Sequence, residues 1–112
     1  MNIFFINSIK NRNIENIRKV PKSDLHNHGV LGGNLAYIEK WSSNQITRLD
    51  RKLNNIREME EWVSKNYLPI VGQIRGINGI NGFEKSIEAA FVQAQQDGVL
   101  KLEMSIDVNF RN

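Results

Sequence analysis

Apolar and polar residues alternate from Val99 to Val108, with Leu100, Leu102, Met104, Ile106 and Val108 on one side and Lys101, Glu103, Ser105 and Asp107 on the other. A period of two is the mark of a strand. Just upstream the period lengthens. Phe83, Ile87, Ala90, Phe91 and Ala94 form one helical stripe, with Asn81 and Glu84 as the expected capping box and Asp97-Gly98 as the expected left-handed stop. Ile56, Met59 or Glu60, and Val63 predict another helix over residues 54–67, its face prolonged upstream by Leu49 and Leu53 and ended by Pro69. Asn13 to Lys19 predicts a short polar helix with Ile14 and Ile17 one turn apart, closed by Pro21.

The segment Lys22 to His28 is too short and too punctuated for a helix and reads as a strand, whose alternation sets Asp24, His26 and His28 on one face. Gly29, Gly32 and Gly33 then break regular structure, and Asn34 predicts the N-cap of a helix through Trp41. Gly72, Gly76, Gly79 and Gly82 read as a flexible connection rather than a phosphate loop: they lack the Lys-Ser/Thr ending and do not directly follow a clear strand. The order strand, helical insert, helix, strand is a βαβ unit with a long excursion after its first strand. It predicts an α/β fold with parallel strands and a right-handed crossover.

Composition narrows the function classes. The chain has 112 residues, 40% hydrophobic and 24% charged, which suits one globular domain with a modest core. Zero cysteines exclude a disulfide framework, a zinc-thiolate site and a cysteine nucleophile, so a metal would be held by nitrogen and oxygen. Ile3-Phe4-Phe5-Ile6 is far shorter than the roughly 18 to 20 residues that span a bilayer, and no signal-peptide pattern frames it. A cytoplasmic chain with no membrane partner is the expectation. The net charge of +3 is unevenly placed. Lys10, Arg12, Arg18, Lys19 and Lys22 against Glu15 make residues 1–22 +4, and the remaining 90 residues, with ten basic and eleven acidic groups, sum to −1. No basic stripe interleaved with aromatics emerges, so no nucleic-acid partner is expected.

The two histidines stand two residues apart in Leu25-His26-Asn27-His28. On a strand both imidazoles project from one face while Asn27 points away, an arrangement that can offer two nitrogens to one metal ion. Two nearby histidines also arise by chance or as partly exposed polar residues, and spacing alone leaves both readings open. Asp24 is either an acceptor that fixes a histidine tautomer or a solvated residue at the start of the strand. Trp41, Trp62, Tyr67, Phe83 and Phe91 read as packing residues, and Glu58, Glu60 and Glu61 as a solvated helix face.

The string Val20-Pro21-Lys22-Ser23-Asp24-Leu25-His26-Asn27-His28 resembles the opening of the adenosine deaminase family, within the metal-dependent amidohydrolase superfamily. A second patch, the helix from Phe83 followed by Asp97-Gly98-Val99 and Lys101-Leu102-Glu103-Met104-Ser105, is similar to that family's first barrel helix and second strand. The resemblance implies the N-terminal portion of a (β/α)8 TIM barrel. Residues 1–20 would be an arm, 21–28 the first strand, 29–80 a helical insertion over the pocket, and 81–112 the first barrel helix and second strand. It implies His26 and His28 as two ligands of one zinc ion, and hydrolytic deamination of adenosine or another aminopurine by a metal-activated water. The family's remaining ligands and acid/base groups lie on later strands that this chain does not contain, so weak zinc binding and no complete catalytic set are expected. Val30 stands where the family has a ribose-contacting aspartate, Ser105 where its second strand has an arginine, and Glu103 matches that strand's glutamate. Two further readings compete. One is a non-catalytic remnant that acts by packing, with self-association through exposed strand edges. The other is a metal phosphoesterase sharing Asp-Leu-His-Asn-His, whose usual Ser-Asp-Gly continuation is missing after His28.

Overall fold

The computed structural model describes residues 3–75 and 80–106. The chain enters through two short helices, α1 (Ile3–Lys10) and α2 (Ile14–Lys19), and then forms β1 (Lys22–His28). Helix α3 (Leu35–Ser42) follows, and an irregular segment leads to α4 (Ile56–Trp62). A π-helical turn (Val63–Tyr67) carries α4 directly into α5 (Leu68–Arg75). The long helix α6 (Ile80–Gln96) then delivers β2 (Val99–Ser105), which pairs with β1 in parallel. The architecture is thus mixed α/β, and no helix among the described residues is long and apolar enough to cross a membrane.

Capping decides several boundaries. Asn13, Asn34 and Asn55 each accept a hydrogen bond from the backbone N–H three residues on, at 3.0, 2.8 and 3.0 Å, and so start α2, α3 and α4. The Asn55 cap explains why Leu49 and Leu53 do not lengthen α4. Helix α6 begins at Ile80, so Asn81 lies within the helix rather than capping it. Pro69 does not end the helical run: the π turn just before it, in which the Leu68 N–H bonds to the Val63 carbonyl, widens the helix and lets it continue through a residue with no N–H. Gly72 and Gly82 are helical rather than part of a loose connection, and Gly76 and Gly79 lie outside the described residues.

The core is gathered beside the strands by the helical excursion. Val30, Ile38, Ile46, Tyr67, Val71 and Ala89 form one buried cluster between α3, α5 and α6, with Trp62 and Phe83 packed against it. Ala89 and Ala90 let α6 come close to its neighbours, whereas Phe91 is 58% exposed and does not join the expected stripe. On β2, Leu102 and Met104 are half-buried, but Leu100 is 80% exposed. The reason is local: Lys22 faces Val99 and Ser23 faces Lys101, so Leu100 is an extra residue on its strand and is turned out. Ile106 lies beyond the strand, while Asp107 and Val108 lie outside the described residues.

One junction locks the start of the sheet to the helices. Gly98 has φ +75°, as expected of a left-handed stop, and its carbonyl accepts from the Lys22 N–H at 3.0 Å. The Lys22 ammonium donates to three carbonyls, those of Ile17 and Asp97 at 2.5 Å and that of Val20 at 2.7 Å. These groups belong to the C-terminal ends of α2 and α6, where unpaired carbonyls and the helix dipoles favour a cation.

Candidate functional site

The carboxyl end of β1 carries both histidines. His26 and His28 lie with their Nε2 atoms 3.1 Å apart and their ring centroids 5.0 Å apart, and both side chains are exposed. Alternate residues of a regular strand have Cα atoms about 6.7 Å apart, so the rings lean towards each other. A tetrahedral zinc ion with bonds near 2.0–2.1 Å holds two ligand nitrogens about 3.3–3.4 Å apart. The pair therefore fits two corners of such a site with small ring rotations. Among the described residues, no third His, Cys, Asp or Glu stands close enough to complete a group of three.

The turn after β1 is tightly built. The Gly29 N–H donates to the Ser105 carbonyl at 2.9 Å, and the N–H groups of Leu31 and Gly32 both donate to the His28 carbonyl. A Cβ on Gly29 would lie 2.5 Å from Ile87 Cδ1 and 2.7 Å from Met104 Sδ, so those two side-chain ends would have to turn aside to admit one. Val30 is buried in the core cluster, and its carbonyl accepts the Tyr67 hydroxyl at 2.5 Å. At the position where the resemblance implies a substrate contact, the chain thus places a packing residue.

Tyr67 was expected in the core, but its bond to the histidine turn was not legible beforehand. Burial pushes the Tyr67 phenol up to about 12. Its folded-state pKa exceeds the ordinary value of 10.0, so the neutral phenol favours folding below pH 10 and that contribution is lost as pH rises towards 12. Tyr67→Phe is expected to cost about 1–2 kcal/mol near neutral pH, because the buried Val30 carbonyl loses its donor. The variant should also lose part of the alkaline decline in stability; urea titrations at pH 8 and pH 11 read both effects.

Asp24 takes neither of the roles expected of it. It does not share the histidine face, because β1 is irregular between Asp24 and Asn27. Its Oδ1 accepts from the His26 backbone N–H at 3.1 Å, and its Oδ2 accepts from Asn27 Nδ2 at 3.0 Å. These bonds, the Asn27 amide first, hold its carboxyl below the usual carboxylate value. Asn27 points away from the histidines as expected, and its Oδ1 is buried without a hydrogen-bond partner. Glu103 is exposed and pairs with Lys101 at 3.3 Å, whereas Ser105 stands directly opposite His28.

Among the described residues β1 pairs with β2 alone, so its other edge is unpaired, and an open cleft of about 610 Å³ lies where α2 meets the start of the sheet, lined by Ile14, Ile17, Leu25 and Val99 and reaching His26. Leu25 is 59% exposed there. Such an edge, with free backbone groups and apolar flanks, is shaped to receive another strand.

No protein-family model matches the chain, and no solved structure matches it. A protein of Treponema pallidum (strain Nichols) described as "Putative adenosine/adenine deaminase" is 29% identical over 99 residues. The aligned region covers 88% of this chain and 31% of that relative, so the chain spans about a third of the relative's length. At the level of sequence, the chain is distantly similar to an adenosine deaminase-like protein.

Proposed function

We propose that this chain forms the first two strands of an adenosine deaminase-like hydrolase barrel, with His26 and His28 as the first-strand ligands of a catalytic divalent cation, zinc being the best fit. The observation that carries the reading is the convergence of the two imidazoles, 3.1 Å apart at Nε2, at the carboxyl end of a strand in a parallel pair. That end of the strands is where α/β barrels assemble their chemistry. The similarity to a named deaminase and the edge of β1 left unpaired among the described residues support it.

A bound ion supplies Lewis acidity, bringing the pKa of a water towards neutrality for attack on an amine-bearing purine carbon. His26 and His28 would hold the ion through their Nε2 atoms, which already lie 3.1 Å apart, and the Gly29 N–H bond to the Ser105 carbonyl fixes that end of the strand against β2. Among the described residues no third ligating side chain joins the two histidines, and the nearby Asp24 carboxylate is engaged by the His26 N–H and the Asn27 amide, so turnover is expected to need groups from elsewhere in a complete barrel. The buried Val30 offers no hydroxyl contact, which favours an aminopurine held by its base over one gripped through its ribose.

Zinc content by elemental analysis, combined with ammonia release from adenosine and adenine, tests this reading. The chain alone is expected to take up zinc weakly and to release no ammonia. The His26→Ala, His28→Ala double variant should bind zinc at least about tenfold more weakly, given the usual requirement for three or four ligands. Unchanged zinc uptake in that variant would refute the ligand assignment.

A further inference from the structure

We infer that Asp24 and Asn27 clamp a one-residue bulge in β1, and that this bulge turns the two histidines to the open face of the sheet. The inference rests on the metal-site reading for its consequence, but its structural part can be tested without a metal.

The register carries the argument. Ser23 faces Lys101 and Asp24 faces Leu102, but Asn27 then faces Met104 and His28 faces Ser105. The extra residue Leu100 on β2 sets this register one residue on from that of Lys22 with Val99, and continued without a compensating residue on β1 it would set Leu25 opposite Glu103, His26 opposite Met104 and Asn27 opposite Ser105. A one-residue slip moves every later side chain to the other face. In the uninterrupted register His26 would therefore lie on the side where Met104 and Ile87 of α6 close over Gly29. The extra residue reverses this and leaves the histidines with Ser105, away from the helix.

A bulge frees backbone groups from the ladder, and Asp24 takes up one of them. One carboxylate oxygen receives the His26 N–H, the other receives the Asn27 amide, and the residues between are bracketed. Asp24 and Asn27 stand opposite Leu102 and Met104 while His28 stands opposite Ser105, and the contact of the Asp24 carboxylate with His26 is the backbone N–H that it holds. Asp24 is a positioning residue.

The test compares Asp24→Ala, Asp24→Asn and Asn27→Ala by NMR cross-strand contacts and by calorimetric titration with zinc alone. Asp24→Ala is expected to replace the Asn27–Met104 and His28–Ser105 contacts by His26–Met104 and Asn27–Ser105, and to weaken zinc binding about tenfold, as loss of a ligand-orienting contact does. Asp24→Asn should keep the wild-type register and affinity: its amide oxygen still accepts the His26 N–H, and its NH2 meets the unpartnered Asn27 Oδ1 once that carboxamide turns over. Should Asp24→Ala not fold, Asn27→Ala, which removes one arm of the bracket, is expected to show both registers. Retention of the wild-type contacts in both alanine variants would overturn the clamp. So would loss of zinc in Asp24→Asn with the register intact, because Asp24 would then act by its charge. A register shift in Asp24→Ala, in a chain whose wild type takes no zinc, upholds the clamp and removes the metal reading.

Discussion

Gly98→Ala is expected to destabilise the chain by about 3 kcal/mol or more, one of the two largest single-residue effects anticipated here. Two costs combine. The backbone at Gly98 has φ +75°, which a residue with a Cβ adopts only under strain. The new Cβ would lie 2.1 Å from the Arg18 carbonyl oxygen and 3.1 Å from that of Val20. These are backbone atoms at the end of α2, so no side-chain rotation relieves the clash, and α2 must move away from the α6–β2 corner. That movement also breaks the bond from the Lys22 N–H to the Gly98 carbonyl, which aligns the first residue of β1 with β2. For a domain with a total stability of about 5–15 kcal/mol, the loss is a large share. Urea-induced unfolding followed by circular dichroism measures it as a lowered midpoint; a midpoint within experimental error of wild type would show that α2 is not packed against Gly98.

Lys22→Met should rank second, at about 2–3 kcal/mol. The methionine retains much of the apolar stem but deprives the Ile17, Val20 and Asp97 carbonyls of their common donor. Charged hydrogen bonds are worth more than neutral ones, and the partial exposure of Lys22 returns some of that energy through water. Arginine is expected to be a poor substitute, because its planar fork does not match three carbonyls converging on one point. The same denaturation assay, run on Lys22→Met and Lys22→Arg, separates the loss of charge from the loss of geometry. Equal stability of all three proteins would remove Lys22 from the junction.

These two residues also show what a sequence can disclose. Gly98 was legible because a glycine after an apolar helical stripe has a specific backbone meaning. Lys22 was visible as part of a motif, but its three carbonyl partners come from two helices far apart along the chain, and no local pattern encodes their meeting. Both strands and the Asn34 cap of α3 were readable from period and polarity. Helix α1 was not: it is short, and Ile3, Phe4 and Ile9 lie on its exposed side. Pro69 misled because a proline after a helical pattern ordinarily ends it, and the π-helical turn that accommodates it left no separate signal. Phe91 misled because helical spacing identifies a stripe without saying how wide the covering surface is.

The site was legible in part for the same reason. His-x-His on a strand predicts a shared face, and the imidazoles do share one. Strict alternation also placed Asp24 on that face, where the bulge between Asp24 and Asn27 reversed it. A bulge depends on how two strands meet, so it lies beyond the period of either strand alone. Val30 is the converse case: the family resemblance marked it as a departure from a substrate-binding pattern, and its burial with Tyr67 on its carbonyl supplies a structural use for the position.

In the proposed function His26 and His28 bind one metal ion together. Zinc K-edge X-ray absorption on the zinc-loaded chain tests it most directly. Two imidazole nitrogens at about 2.0–2.1 Å, with their ring scattering, are expected in the wild type and absent from the His26→Ala, His28→Ala variant. A wild-type spectrum with fewer than two imidazoles, or one unchanged in the double variant, would contradict it.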